Sequence, residues 1–176
     1  METVFFDASV LFKAAVTRFV LGAALGGEYR PVWSEAVVDE ARRNLLASGR
    51  LSALAALEQN LALIRDPILQ PADSEAEAAL VRTDAKDRHV MAAASNGGAT
   101  FLLTDNTKDF DPDEARSLGL IVVSPDQFAT SIALRSPYAL LRHVQRVPRS
   151  RLDRYVEILT RELPTTMSIV APLLLG

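Results

Sequence analysis

Four carboxylates, Asp7, Glu40, Asp87 and Asp109, stand where acids can do chemistry. Asp7 directly follows the apolar run Val4-Phe5-Phe6. Asp105 and Asp109, with Asn106 between them, lie just past a second apolar run, residues 100–103. Asp87 opens the Ala-rich stretch that leads into that run. Glu40 sits on the shoulder of an apolar helical stripe, from which a carboxylate can reach inward. Carboxylates gathered in one place cannot all stay ionised unless something neutralises them. Hard divalent cations do so through oxygen ligands, and Mg²⁺ or Mn²⁺ suits a donor set without cysteine. Such a site polarises a phosphodiester and lowers the pKa of a bound water, so metal-assisted phosphodiester hydrolysis is the expected chemistry. The competing role for any single Asp is turn former or helix cap. Asp113 and Glu114 are expected to be no more than solvated helix acids.

The elements that must position these acids read as an α/β chain with a central, mainly parallel sheet flanked by helices. Residues 2–6 form a buried first strand ending at Asp7. A helix over 10–20 follows, broken by Gly22, Gly26 and Gly27. Residues 29–33 are extended, because Pro31 pushes Arg30 out of the α region. Ser34 caps a helix to about residue 48, with Val37, Val38, Ala41 and Leu45 on its apolar side. Residues 51–64 form another amphipathic helix, 67–73 a loop, and Ser74 caps a short Ala- and Glu-rich helix. Thr83 or Asp84 caps the next helix, with Asp87 in its first turn, where the helix dipole favours an acid. Asn96-Gly97-Gly98 stops it.

Residues 100–103 then form a short buried strand. Its acidic loop lies where parallel sheets place their functional crevice. Asp111-Pro112-Asp113-Glu114 starts a brief helix ended by Gly119, residues 120–123 form a further strand, and Ser124-Pro125 opens a helix over 126–133. From Ser136 onward strand patterns cease. Helical stretches over 138–145, 150–163 and 166–174 make a locally basic appendix too short to bury a core of its own. The expected organisation is a catalytic domain over 1–133 and a helical extension over 134–176.

Composition bounds the function. The chain has 176 residues, 49% of them hydrophobic, which suits one domain with a real core. It has no cysteine, which excludes disulfides, thiolate zinc sites and cysteine nucleophiles and fits a reducing compartment. Met1-Glu2-Thr3 lacks the basic start of a signal peptide, and no stretch approaches a membrane span, so a cytoplasmic protein is expected. The formal net charge of -3 argues against a globally basic nucleic-acid binder. Contact with nucleic acid would come from local patches or through metal ions.

The ordered motifs resemble a known family. Val4-Phe5-Phe6-Asp7-Ala8-Ser9-Val10-Leu11 is similar to the opening of the PIN-domain nucleases, and Ser34-Glu35-Ala36-Val37-Val38-Asp39-Glu40 to their second motif. Asp84-Ala85-Lys86-Asp87-Arg88-His89-Val90-Met91 and Leu103-Thr104-Asp105-Asn106-Thr107-Lys108-Asp109-Phe110 resemble the third and fourth. Ser124-Pro125-Asp126-Gln127-Phe128 resembles the segment after the last strand. Within the family the chain resembles the VapC-type toxins of bacterial toxin–antitoxin pairs, in the branch with a C-terminal helical extension.

That resemblance implies a three-layer PIN-like fold and an Mg²⁺- or Mn²⁺-dependent endoribonuclease that cuts structured RNA at single-stranded loops. It also implies a homodimer held inactive by a cognate antitoxin protein. Asp7, Glu40 and Asp87 match the first three family acids. Many relatives carry Asp where this chain has Asn106, which leaves Asp109, or less readily Asp105, to supply the fourth charge. By the resemblance Asp7, Asp87 and Asp109 hold the metal, and Glu40 orients or deprotonates the attacking water. Ser9 and Asn106 hydrogen-bond the ligand carboxylates or the scissile phosphate. Arg88 and Lys108 flank the site, where they either pair with RNA phosphates or are ordinary surface charges, the second reading being slightly favoured. His89 is expected to be a packed or exposed helix residue rather than a general acid, and Trp33 a core or interface residue rather than a base-stacking platform. The arginines after residue 135 either contact RNA or an acidic partner, or form a solvated face interleaved with Asp153, Glu157 and Glu162.

Two other readings compete. One is a PIN-like binding module that has lost catalysis, with Asn106 as the lost acid. The other is a haloacid-dehalogenase-like phosphotransferase using Asp7 as nucleophile, which would need a second Asp at position 9, where Ser9 stands.

Overall fold

The structure is a computed structural model that describes residues 1–65, 67–69 and 79–174. Its strands are β1 (Thr3–Phe6), β2 (Arg30–Ser34), β3 (Ile68–Leu69), β4 (Phe101–Leu103) and β5 (Ile121–Val123). They form one sheet in the order β3-β2-β1-β4-β5, and every neighbouring pair is parallel. Val4, Phe5 and Phe6 of the central strand are fully buried, as a strand covered by helices on both faces requires. The connection after β1 leads to β2 on one side, and the connection after β4 leads to β5 on the other. A crevice therefore opens beyond the carboxyl ends of β1 and β4. The register Phe6↔Leu103 brings Asp7 level with Thr104.

The helices bear out much of the reading and correct parts of it. The expected first helix is two: α1 (Ala8–Leu11), capped by the Asp7 carboxylate, and α2 (Ala14–Ala24). Gly22 does not break α2. It lies inside the helix, where an added Cβ would meet His143 Cβ at 3.4 Å and the Leu140 carbonyl at 3.6 Å. Glycine there permits a close helix crossing rather than a turn. Ser34 does cap α3 (Glu35–Ala47), accepting from the Val37 N–H, and Val37, Val38, Ala41 and Leu45 are buried. Helix α4 (Leu51–Leu61) follows. Within the expected 67–73 loop, Ile68–Leu69 pairs with Trp33 and Ser34 of β2. Two residues are too few to show a strand period. The rest of that loop and the helix expected after Ser74 lie outside the described residues.

Helix α5 (Arg88–Asn96) starts later than expected. The Thr83 hydroxyl accepts from the Asp111 N–H, and the Asp84 carboxylate accepts from the Lys86 N–H in a turn. Neither caps the helix, and Asp87 takes the N-cap position without a side-chain cap bond. Gly98, at φ +64°, turns the chain from α5 toward β4. Glu114, expected in solvent, is buried on α6 (Pro112–Ser117), and its carboxylate accepts from the N–H groups of Arg82 and Thr83 at 2.8 Å each. It clamps the segment that leads to Asp87.

Helix α7 (Pro125–Arg135) carries a full capping box from Ser124 and Gln127. Helices α8 (Pro137–Val144), α9 (Arg149–Glu162) and α10 (Pro164–Val170) follow. They do not stand apart from the sheet layers. Leu140, Val144, Leu159, Leu163 and Met167 are buried in the same apolar cluster as Phe19 and Phe128. Asp126 at the start of α7 accepts from the N–H groups of Thr165 and Thr166, tying α10 down. Trp33 is buried against Phe6. No helix among the described residues is long and apolar enough to cross a membrane.

Candidate active site

The site begins with the way β1 ends. The Asp7 N–H donates to the Leu103 carbonyl at 3.0 Å, which fixes the strand end to β4. Asp7 is 7% exposed. Its Oδ1 accepts from the Ala8 N–H at 2.7 Å, the bond that starts α1. Its Oδ2 accepts the hydroxyls of Ser9 at 2.7 Å and Thr104 at 2.8 Å. Each hydroxyl in turn accepts a backbone N–H from the β4 loop, Ser9 from Asp105 and Thr104 from Asn106, at 3.1 Å. Both hydroxyl protons are thus directed at Asp7, and the acidic loop is held against it.

Asp87 approaches from the other side. Its Oδ2 is buried and has no hydrogen-bond partner. The nearest cation, Lys86 Nζ, lies 3.7 Å away, close enough for ion pairing but too far for a hydrogen bond. The same ammonium lies 3.6 Å from Asp109 Oδ2. Burial, with Asp7, Asp109 and Asp84 adding to it, raises Asp87 above its ordinary carboxylate value against the opposing pull of Lys86. The carboxylates around Lys86, Asp87 first and then Asp109 and Asp84, raise its own value.

These groups share an open cleft of about 660 Å³ lined by Asp7, Ser9, Glu40, Asp87, Asp105 and Asn106, with Lys13 and Lys86 at its edges. Of the expected site residues, the structure brings Asp7, Glu40, Asp87, Ser9 and Asn106 together. Asp109 lies beyond Lys86, outside the lining, and acts on Asp87 through charge. Asp105 lines the cleft, and its Oδ2 lies 3.1 Å from Lys13 Nζ. Burial raises Asp105, with Glu162 and Asp7 adding, against the lowering effect of Lys13. Arg88 does not face the cleft: it donates to the carbonyls of Thr83 and Val81. Lys108 is exposed outside the lining.

The family model of the PIN domain matches residues 3–108, more than half of the chain. The chain belongs to the PIN domain family. PIN domains are in general nucleases that act on nucleic acids. No curated protein and no solved structure matches the chain.

The matched PIN region contains all four candidate acids except the last: Asp109 falls one residue past it. Among the described residues no three acids or histidines are already drawn together at metal-binding separations. The donors nonetheless fit a hard divalent cation. A buried carboxylate oxygen without a hydrogen bond, beside a second buried carboxylate and with only the exposed Lys86 ammonium 3.7 Å away, is costly unless a cation approaches more closely. The cleft offers carboxylate, hydroxyl and amide oxygens and no histidine or cysteine, the donor type that Mg²⁺ and Mn²⁺ prefer. Inspection of the sequence missed Thr104 and Lys13. Thr104 follows the buried run directly, at the level of Asp7. Lys13 stands in the break between α1 and α2, at the N-cap of α2, a position that no local pattern announced.

Proposed function

We propose that this PIN domain protein is a metal-dependent endoribonuclease and the toxin of a VapC-type toxin–antitoxin pair. The observation that carries the metal-dependent reading is the buried Asp87 Oδ2, which accepts no hydrogen bond, in a cleft shared with Asp7 and Glu40. Asp7 and Asp87 would hold Mg²⁺ or Mn²⁺, with Asp109 completing the negative charge from beyond Lys86. Bound there, the ion would polarise the scissile phosphodiester and lower the pKa of a water. Glu40 would orient a water and take its proton as the water oxygen bonds to phosphorus; the bond from phosphorus to the ribose oxygen breaks, and that oxygen takes a proton from solvent. Ser9 and Thr104 fix the Asp7 carboxylate, and Asn106 donates its amide N–H groups to a phosphate oxygen. In this reading residues 1–133 form the nuclease unit and 134–176 a helical extension docked on it. The protein works in the cytoplasm as a homodimer and is silenced by its antitoxin.

The test is cleavage of total RNA with Mg²⁺ or Mn²⁺ and with EDTA. Asp7 accepts three hydrogen bonds, so Asp7→Asn will lose stability as well as activity. Glu40 makes no hydrogen bond or ion pair among the described residues, so Glu40→Gln is the cleaner variant. It should lose cleavage with its melting temperature unchanged. Native cleavage by Glu40→Gln, or cleavage that persists in EDTA, refutes the proposal. A non-catalytic PIN module is the second reading, favoured by Asn106 lining the cleft where many relatives carry Asp. Titration calorimetry showing no Mn²⁺ binding would select it.

A further inference from the structure

A basic groove leads out of the acidic cleft. The cleft shares Lys13 with a neighbouring cavity lined also by Arg50, Arg154 and Arg161. That cavity shares Ala14, Ala15, Arg154 and Ile158 with a third, of about 700 Å³, which adds Arg18, Arg146 and Arg151. The three cavities adjoin in series along α2, α4 and α9. Past the cleft, the only carboxylate among their described lining residues is Glu162, which pairs with Lys13 at 2.8 Å and Arg161 at 3.0 Å.

Arg154 pairs with Glu157 at 2.8 Å, and the charge of Arg18, Arg50, Arg146 and Arg151 is uncompensated among the described residues. Arg18 donates to His143 and to Asn60, both neutral acceptors. Burial first, and then Arg18 and Arg146, push His143 down to about 4, so it adds no charge at neutral pH. Arg50 lies over the Phe12 ring at 4.6 Å, with no carboxylate partner among the described residues. Arg146 and Arg151 are exposed and make no ion pair among the described residues. The groove also has aromatic side chains: Phe12 at the cleft, with one face covered by Arg50, then half-buried Tyr155, packed edge-on to His143 and donating its hydroxyl to the Ala15 carbonyl.

We propose that this groove is the track for the single-stranded RNA backbone on one side of the scissile bond, with phosphates on Arg146, Arg151 and Arg18 and bases against these aromatic side chains. This rests on the nuclease reading and says where its substrate lies. A chain of net charge -3 with an acidic cleft repels a polyanion, and a local basic track next to that cleft offsets the repulsion. Cations alternating with aromatic faces along a groove suit a single strand better than a duplex. An acidic protein segment would use the same charges but would have no need for continuity with the cleft.

The test compares fluorescein-labelled oligouridylates of about 4 and about 20 nucleotides, bound to the full chain in EDTA, with wild type and an Arg146→Ala/Arg151→Ala double variant. Each phosphate contact on a single strand contributes about 0.7 to the slope of log affinity against log salt. The double variant should lose about 1.4 of slope and about tenfold of affinity for the long strand at about 0.15 M salt. Affinity for the short strand, which the cleft alone can hold, should not change. Circular dichroism checks the fold, which these exposed side chains do not support. Wild-type affinity and slope in the double variant overturn the proposal. So does a poly-glutamate probe that loses binding in the variant while the RNA does not. Length-dependent RNA binding without metal-stimulated cleavage would sink the catalytic reading and leave the track standing.

Discussion

Replacing Asp87 with asparagine should stabilise the metal-free protein while removing its metal site. The Asp87 Oδ2 atom is buried and unbonded, and the carboxylates of Asp7, Asp109 and Asp84 act on it. Asparagine leaves a polar atom in the same place but removes its charge, and an unmade hydrogen bond matters more for a charged group, about 1.5–3 against about 0.5–1.5 kcal/mol for a neutral one. The side chain keeps 20% exposure, so a discounted value of about 1 kcal/mol is appropriate. For a chain of this size that is about 2–4 °C in melting temperature.

The sign with pH follows from the raised value of Asp87. Its ionisation destabilises the fold as pH rises from its ordinary 3.8 through its folded value. The advantage of Asp87→Asn should therefore be absent in strong acid and level off near neutrality. Metal reverses the order: an ion present at about a hundred times its Kd adds about 2.7 kcal/mol to wild type, or about 5–10 °C. Differential scanning fluorimetry in EDTA and in Mn²⁺, across pH, reads all of this. An Asp87→Asn protein that melts below wild type in EDTA, or that gains as much from Mn²⁺ as wild type does, refutes the reasoning.

Three further outcomes follow from the contacts around the site. Thr104→Val removes a hydroxyl that donates to Asp7 and accepts from Asn106; it should cost about 1–3 kcal/mol in urea unfolding and weaken Mn²⁺ binding in calorimetry. At Glu114, burial pulls the carboxyl upward, but the N–H groups of Arg82 and Thr83 outweigh it and hold the value below the ordinary 4.5. Its stabilising effect is therefore full above that value and lost as pH falls through the folded one, so Glu114→Gln should flatten the acid limb of a stability–pH curve. Gly22→Leu would press a large side chain into His143 and Leu140, and should cost about 1–3 kcal/mol of stability, read by thermal melting.

Much of the sheet was legible in the sequence because its strands are short apolar runs flanked by polar turns, as at Val4-Phe5-Phe6 before Asp7. The acids of the cleft were legible for three reasons: Asp7 and Asp105 lie just past such runs, Asp87 opens a helix, and Glu40 sits on the shoulder of an apolar helical stripe. Other features depend on long-range contacts that no local pattern carries. Thr83 looked like a cap but faces Asp111, and Glu114 looked solvated but holds the backbone of Arg82 and Thr83. Asp109 and Asp105 could not be told apart by spacing. Their difference comes from which lysine each meets, Lys86 or Lys13. Gly22 read as a helix breaker because glycine often is one, and its true neighbours lie more than a hundred positions away.

Helix α2 is buried around nearly its whole circumference, by the sheet on one side and by α8 on the other. A homologue that stopped after α7 would leave one side of that helix facing water, and selection would replace apolar residues there with charged ones. The side-chain-free position at 22, useful only while α8 crosses against it, would be under no constraint. Glycine at that site and a helix corresponding to Pro137–Val144 should therefore be gained and lost together across the family, an inheritance pattern that sequence comparison can count.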